Sequence, residues 1–180
     1  MADGTIRPAR REDVPEILAL IRELAEYERA PHEVVATEDQ LATALFAGTD
    51  EGADLESGTP SGRPAAYCLV VEHDQADGRR LAGMALWFLN FSTWLGRHGV
   101  YLEDLYVRPA LRGLGYGQAL LARLAQECLD RGYGRLEWWV LDWNDPALGF
   151  YRALGAQPMD EWTVHRVTGD ALAALASRSP

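Results

Sequence analysis

The sequence predicts an α/β (α+β) protein: a mixed, mostly antiparallel central sheet flanked by helices. Three observations carry that prediction. Three apolar runs, residues 66–72, 81–91 and 100–108, succeed one another across short polar or glycine-containing joints, as antiparallel strands do. Helical periodicity precedes them in Val14, Ile17, Leu18, Ile21, Leu24 and Ala25, and returns after them in Gly117, Leu120, Leu121, Leu124 and Cys128. An apolar stretch at 136–141 follows that second helix and gives one strand–helix–strand crossover.

Each element has its own local signals. Thr5-Ile6-Arg7-Pro8-Ala9 reads as a short first strand closed by proline. Asp13 is placed to cap a helix that begins near Val14 and fades near Glu28, with Pro31 beyond. Thr37 followed by Gln40 is a capping box for a short helix carrying Leu41, Leu45 and Phe46. Residues 47–64, rich in Gly, Ser, Pro, Thr and Asp, read as a loop. The polar turn 77–80 makes a hairpin of the first two apolar runs, and 92–99 joins the second to the third. A helix over 115–130 stops at Gly132 and Gly134. Residues 136–141, apolar except for Glu137, predict a strand covered on both faces. Another helix over about 146–154 ends at Gly155, a last strand is expected over 163–167, and Gly169-Asp170 opens a C-terminal helix. No repeat or linker divides the chain, so 1–180 reads as a single domain.

Composition narrows the function classes. Hydrophobic residues at 48% and charged residues at 24% are globular values. No apolar run reaches the roughly 20 residues that span a bilayer, so no membrane association is expected. The polar, basic start of the chain shows no signal peptide. Cys68 and Cys128 read as buried or half-buried free thiols and neither they nor the scattered His32, His73, His98 and His165, read mostly as surface residues, have metal-ligand spacing, so no metal is expected. A cytoplasmic location follows from thiols kept reduced. The net charge of −10 argues against nucleic acid and admits a cationic small molecule. Trp138-Trp139 read as core residues with a share in a subunit interface.

The segment Arg112-Gly113-Leu114-Gly115-Tyr116-Gly117 lies between a strand and a helix. Glycines there let backbone N–H groups converge, the helix start adds partial positive charge, and Arg112 adds a full one: a phosphate cradle. A plain structural glycine turn explains the glycines alone equally well. A dinucleotide fingerprint fails because Gln118 stands where its third glycine belongs, and no Gly-Lys-Ser/Thr ending makes a nucleoside-triphosphate loop.

With the preceding strand Tyr101-Leu102-Glu103-Asp104-Leu105-Tyr106-Val107, this segment resembles the coenzyme A motif of the GNAT acetyltransferase superfamily. Residues 144–156, from Asn144-Asp145-Pro146 through Phe150-Tyr151 to Gly155-Ala156, resemble that superfamily's second motif. Ile6-Arg7-Pro8-Ala9, the stretch from Leu20 through Tyr27-Glu28, Tyr101-Leu102-Glu103-Asp104 and Leu141-Asp142-Trp143-Asn144 are similar to the diamine (spermidine/spermine) and thialysine acetyltransferase branch. The likeness runs from about residue 5 to 167.

The resemblance implies a GNAT fold, acetyl-CoA as cofactor, a small-molecule primary amine as acceptor and a homodimer. It implies a bulged strand whose backbone at Leu105, Tyr106 and Val107 pairs with the pantetheine arm, one N–H there polarising the thioester carbonyl. Arg112, Gly113, Gly115, Tyr116, Gly117 and Gln118 would hold the pyrophosphate, and Asn144 and Tyr151 would lie at the pantetheine end. Tyr151 matches the general acid that protonates the departing thiolate, although spacing alone reads it as an aromatic core residue beside Phe150 and Leu154. Glu103 matches the proposed base, acting directly or through water, and Asp104 adjoins it. An amine of pKa roughly 10 must shed a proton before it attacks. Tyr27, Glu28 and Trp94 match the amine pocket, although Glu28 alone reads as a solvated helix end. Ser92 replaces the acidic residue usual in spermidine enzymes, which favours a shorter, lysine-like amine over long polyamines. The rival from another class is a non-catalytic acyl-CoA-binding sensor, which would keep the glycines while losing Tyr151 or Glu103; both are present.

Overall fold

A computed structural model describes residues 4–47, 64–74, 76 and 78–178. They divide into two compact units, Met1–Trp139 and Val140–Pro180. The first holds one five-stranded sheet: β1 Thr5–Pro8, β2 Tyr67–Glu72, β3 Leu81–Ser92, β4 Arg97–Val107 and β5 Leu136–Trp138. The strands lie in chain order, antiparallel except for the parallel pair β4–β5. This is the mixed, mostly antiparallel sheet that the hairpin spacing and single crossover require.

α1 (Val14–Tyr27) and α2 (Glu38–Phe46) cover one face. Ile17, Leu20 and Leu45 join Cys68, Val70, Met84, Leu86 and Tyr106 in one buried cluster. α3 (Tyr116–Arg131) packs against β3 and β4 through Leu120, Leu121 and Leu124. Glycines in the left-handed conformation bound it at both ends, Gly115 (φ 86°) and Gly132 (φ 67°). The capping box at Thr37 forms, with Gln40 N–H donating to Thr37 Oγ1 and Thr37 N–H to Gln40 Oε1. Both cysteines are free and buried.

Several expectations change. Asp13 does not cap α1 with its side chain; its carboxylate accepts from the Arg10 N–H and from Arg7, which also pairs with Glu72 across the sheet. The strand expected over 136–141 stops at Trp138 and is only half-buried, with Trp139 58% exposed. Pairing with β4 ends where β4 bulges, so residues 139–141 have no partner strand. The loop expected over 47–64 lies almost wholly outside the described residues, as does Asp77 of the hairpin turn. In the second unit, α4 (Asp145–Ala153) and α5 (Gly169–Ala176) form as expected, but residues 163–167 make no strand. Among its described residues this unit has no strand for them to pair with, and a lone extended run cannot satisfy its backbone.

Candidate functional site

The register of β3 against β4 explains the site. Leu86 pairs with Asp104 and Trp87 with Leu102, leaving Glu103 as an extra residue in a bulge. A bulge reverses the side-chain alternation beyond it. Leu102 therefore shares a face with Trp87, whereas Asp104 and Tyr106 share the opposite, α1-covered face with Leu86 and Met84. Without the extra residue, Leu102 and Asp104 would share a face. The implied bulge is thus real and falls on Glu103.

Asp104 is consequently drawn inward. Burial, then Glu103, then Glu28 push its carboxyl from the ordinary value up to about 7. Burial also raises Glu28, the residue that ends α1. Glu103 itself is exposed. The three carboxylates form one anionic locus, with the inner one ready to hold or exchange a proton near neutral pH. The next residue, Arg29, adopts φ 64°.

β5 pairs with β4 only through Val100, Tyr101 and Leu102, so the backbone from Glu103 to Val107 is open on that side. Leu105, Tyr106 and Val107 lie along this stretch, and Tyr106 is buried. The turn beyond begins with Arg108, which is 2% exposed, donates to the Leu81 carbonyl and to both oxygens of Glu23, and lies 3.6 Å from Glu16. The end of β4 is thereby clamped to α1. Gly113 (φ 80°) and Gly115 (φ 86°) then turn the chain into α3, and a Cβ on either would meet nothing within 4 Å. Ala119 N–H is the first to close on the helix, at 3.0 Å from the Gly115 carbonyl. The N–H groups of Tyr116, Gly117 and Gln118 lie in the helix's unclosed first turn, and no side chain caps it. These donors and the open β4 edge suit a diphosphate and a pantetheine arm respectively.

Two site residues sit differently from expectation. Arg112 folds back: its Nε donates to the Val107 carbonyl at 3.0 Å, and its guanidinium lies 5.1 Å from the Tyr27 ring centroid and 5.7 Å from that of Tyr106. Its charge thus lies against Tyr27 at the end of α1 as well as beside the glycine turn. The Tyr116 side chain turns inward, 3% exposed, and its hydroxyl lies 2.6 Å from His73 Nδ1. Only its backbone faces the turn, and His73 is half-buried rather than a surface residue.

Trp94 is 88% exposed in the turn between β3 and β4. The seven residues of β4 from Arg97 to Glu103 put roughly 20 Å between that turn and the bulge, so the first unit does not bring Trp94 to Glu103. Ser92 is buried, and its Oγ accepts from the Leu95 N–H at 3.3 Å, so the turn uses it structurally. In the second unit, Asn144 caps α4 by accepting from the Ala147 N–H at 3.3 Å, and Tyr151 is half-buried with its ring 5.3 Å from that of Phe150. Sequence reasoning missed the His73–Tyr116 and Arg108–Glu23 pairs. Their partners are 43 and 85 positions apart, and no local pattern signals either. Among the described residues no His, Cys, Asp and Glu group could hold a metal ion.

An opened strand edge leading into a glycine turn at a helix start suits the class of acyl-CoA-dependent transferases. The chain belongs to the acetyltransferase (GNAT) family, which matches residues 19–156. It is 38% identical over 185 residues to the thialysine N-epsilon-acetyltransferase of Bos taurus, covering 99% of this chain and 100% of that protein. It is 35% identical to the L-ornithine N5-acetyltransferase NATA1 of Arabidopsis thaliana, over 94% of this chain and 86% of that one. A spermidine/spermine N(1)-acetyltransferase-like protein 1 of Homo sapiens is 33% identical over 95% of this chain, which spans 23% of that longer protein. Among solved structures, an integron cassette protein from the V. cholerae mobile metagenome superposes with a TM-score of 0.72 at 23% identity, covering 99% and 100% of the two chains, and shows the shared fold. The chain is an acetyl-CoA-dependent N-acetyltransferase, as the sequence motifs imply.

Proposed function

We propose that the chain acetylates a small, lysine-like primary amine by direct attack within a ternary complex, and that Glu28, Glu103 and Asp104 select and prepare the amine. One observation carries the reading: the β4 bulge at Glu103 turns Asp104 onto the α1-covered face, where it feels the charges of Glu103 and of Glu28 at the end of α1. A diffusing ammonium is drawn to such a locus, and a carboxylate poised near pH 7 can accept its proton. Tyr27, stacked under Arg112, lines the same end. The names of the thialysine and ornithine acetyltransferases support an acceptor of that length.

Acetyl-CoA supplies the acetyl group as a thioester. The N–H groups of Tyr116, Gly117 and Gln118 and the turn at Gly113 and Gly115 would hold the diphosphate; an open β4 N–H at Leu105 to Val107 would donate to the carbonyl oxygen. Arg112 adds positive charge there. Glu103, or Asp104 beside it, takes the ammonium proton. Tyr151 Oη would donate to the leaving sulfur and Asn144 would orient the pantetheine end, as the motif at 144–156 implies. The whole chain acts as one domain and pairs into a homodimer; exposed Trp94 and Leu95, in the turn between β3 and β4, are apolar surface that a second copy would cover. Its two free thiols suit a reducing cytoplasm.

The test is thiol release with thialysine, ornithine, lysine, putrescine, spermidine and a peptide N-terminus. Expected is the highest kcat/KM among the lysine-like amines, with spermidine lower. Tyr151→Phe and Glu103→Gln should each lower kcat by 10²- to 10⁴-fold. Full activity in the double variant would refute both assigned roles.

A further inference from the structure

The glycine turn is conformationally soft. Gly113 and Gly115 are both left-handed, with open space where side chains would lie, and ordering such residues costs more entropy than ordering any others. A site that binds through backbone N–H groups works best when the turn is ordered before the ligand arrives. Among residues 112–118, Tyr116 alone sends a side chain into the interior. It is the first residue of α3, immediately after the second left-handed glycine.

We propose that His73 is a positioning residue for the cofactor, fixing the glycine turn through Tyr116. The Tyr116 hydroxyl lies 2.6 Å from His73 Nδ1, with the two rings edge to face at 5.8 Å. The His73 end is itself held, since its backbone N–H donates to the Arg80 carbonyl at 2.7 Å where β2 closes on β3. The ring also lies flush against Gly4, where a Cβ would come within 2.7 Å of the hydroxyl. The phenol is thus a rigid lever from the sheet's far hairpin to the helix start. His73 touches no cofactor atom; it acts by holding Tyr116. The proposal rests on the glycine turn being the diphosphate cradle.

The experiment compares acetyl-CoA with S-acetylpantetheine, a donor that has no diphosphate, across His73→Phe, Tyr116→Phe, the double variant, His73→Asn and Gly115→Ala. Thermal melting confirms that each is folded; Tyr116→Phe keeps the buried ring and removes only the hydroxyl. Losing one part-buried hydrogen bond should raise KM for acetyl-CoA about fivefold in His73→Phe and Tyr116→Phe. The double variant should be no worse than either single one, because both remove the same bond. KM for S-acetylpantetheine and for the amine should stay within twofold of the parent, roughly the scatter of non-interacting changes. His73→Asn, which restores a polar atom near the position of Nδ1, should recover most of the loss. Equal rises for both donors, or additive singles, would overturn the proposal. If Gly115→Ala raises KM for acetyl-CoA while His73→Phe does not, the cradle stands and His73 has no part in it. If neither changes it, the cradle reading itself fails.

Discussion

In the proposed site, the two ends of the β4 segment that opens away from β5 bind by different means. At the glycine turn the useful groups are backbone N–H donors, the side chains are absent or point away, and shape comes from φ angles that only glycine adopts easily. At the bulge the useful groups are side chains, the carboxylates of Glu28, Glu103 and Asp104, and shape comes from one extra residue that sends Asp104 inward. The first end suits a ligand part that never varies. The second can be retuned by single substitutions, which suits an acceptor that differs among relatives acting on thialysine or ornithine. Arg108, buried between β4 and α1, and Arg112, stacked on Tyr27, tie the two ends together.

If the turn depends on backbone geometry, Gly115→Val should have the largest effect. A β-branched residue at φ 86° is strained by roughly 3 kcal/mol, about a hundredfold. The loss should appear as a raised KM for acetyl-CoA, read by initial rates, with the amine KM little altered. An unchanged acetyl-CoA KM would mean that the turn does not need its left-handed glycine.

The acidic end should respond to charge and pH. Removing a buried carboxylate that meets an ammonium costs about 1.5–3 kcal/mol, so Asp104→Asn should lower kcat/KM for a cationic amine by tenfold to a hundredfold while sparing KM for acetyl-CoA. Stability should move the other way. The Asp104 carboxyl is raised from 3.8 to about 7 in the folded protein, so folding favours its protonated form. Its contribution is full below about pH 4 and is lost as pH rises to about 7. Asp104→Asn should therefore raise the melting temperature at pH 8 and do nothing near pH 4. Bound amine should shrink the gain at pH 8, because the cation already compensates the charge. An equal gain at both pH values would show that packing, not charge, is responsible.

The contrast also explains what the sequence discloses. The glycine turn is written in contiguous residues, and so are the helix faces of α1 and α3 and the apolar runs of β2 and β3. The bulge is not. Glu103-Asp104 inside an apolar strand marks the place, but which carboxylate turns inward depends on the pairing of Leu86 with Asp104, a cross-strand register that β4 alone does not contain. The same limit applies to β5, whose apolar run suggested six residues although β4 leaves it partners for three. Residues 163–167 read as a strand, yet a strand needs a neighbouring edge that their own unit does not provide among its described residues. Trp94 could be named from its motif, but its 88% exposure depends on the turn that carries it.

The smallest expected effect separates strain from function at the acidic end. Arg29 follows Glu28 with φ 64°, and the Ala30 N–H beyond it donates back to the Ala25 carbonyl, closing α1 in the manner usual for glycine. Arginine there carries a Cβ penalty of about 1 kcal/mol, so Arg29→Gly should stabilise the fold by a similar amount and raise the melting temperature by a few degrees. If the strained residue serves only to end the helix, Glu28 and Tyr27 keep their places and kcat/KM for the amine is unchanged. If instead the arginine side chain shapes the approach of a cationic acceptor, its removal should raise amine kcat/KM, because a like charge beside the carboxylates has gone. That rise should fade in high salt, since a charge this exposed acts through solvent and is screened within about 10 Å at 0.1 M ionic strength. A fall in amine kcat/KM together with a gain in stability would instead show that the left-handed residue is held under strain to place Glu28, which would make the acidic end, like the glycine turn, dependent on backbone geometry.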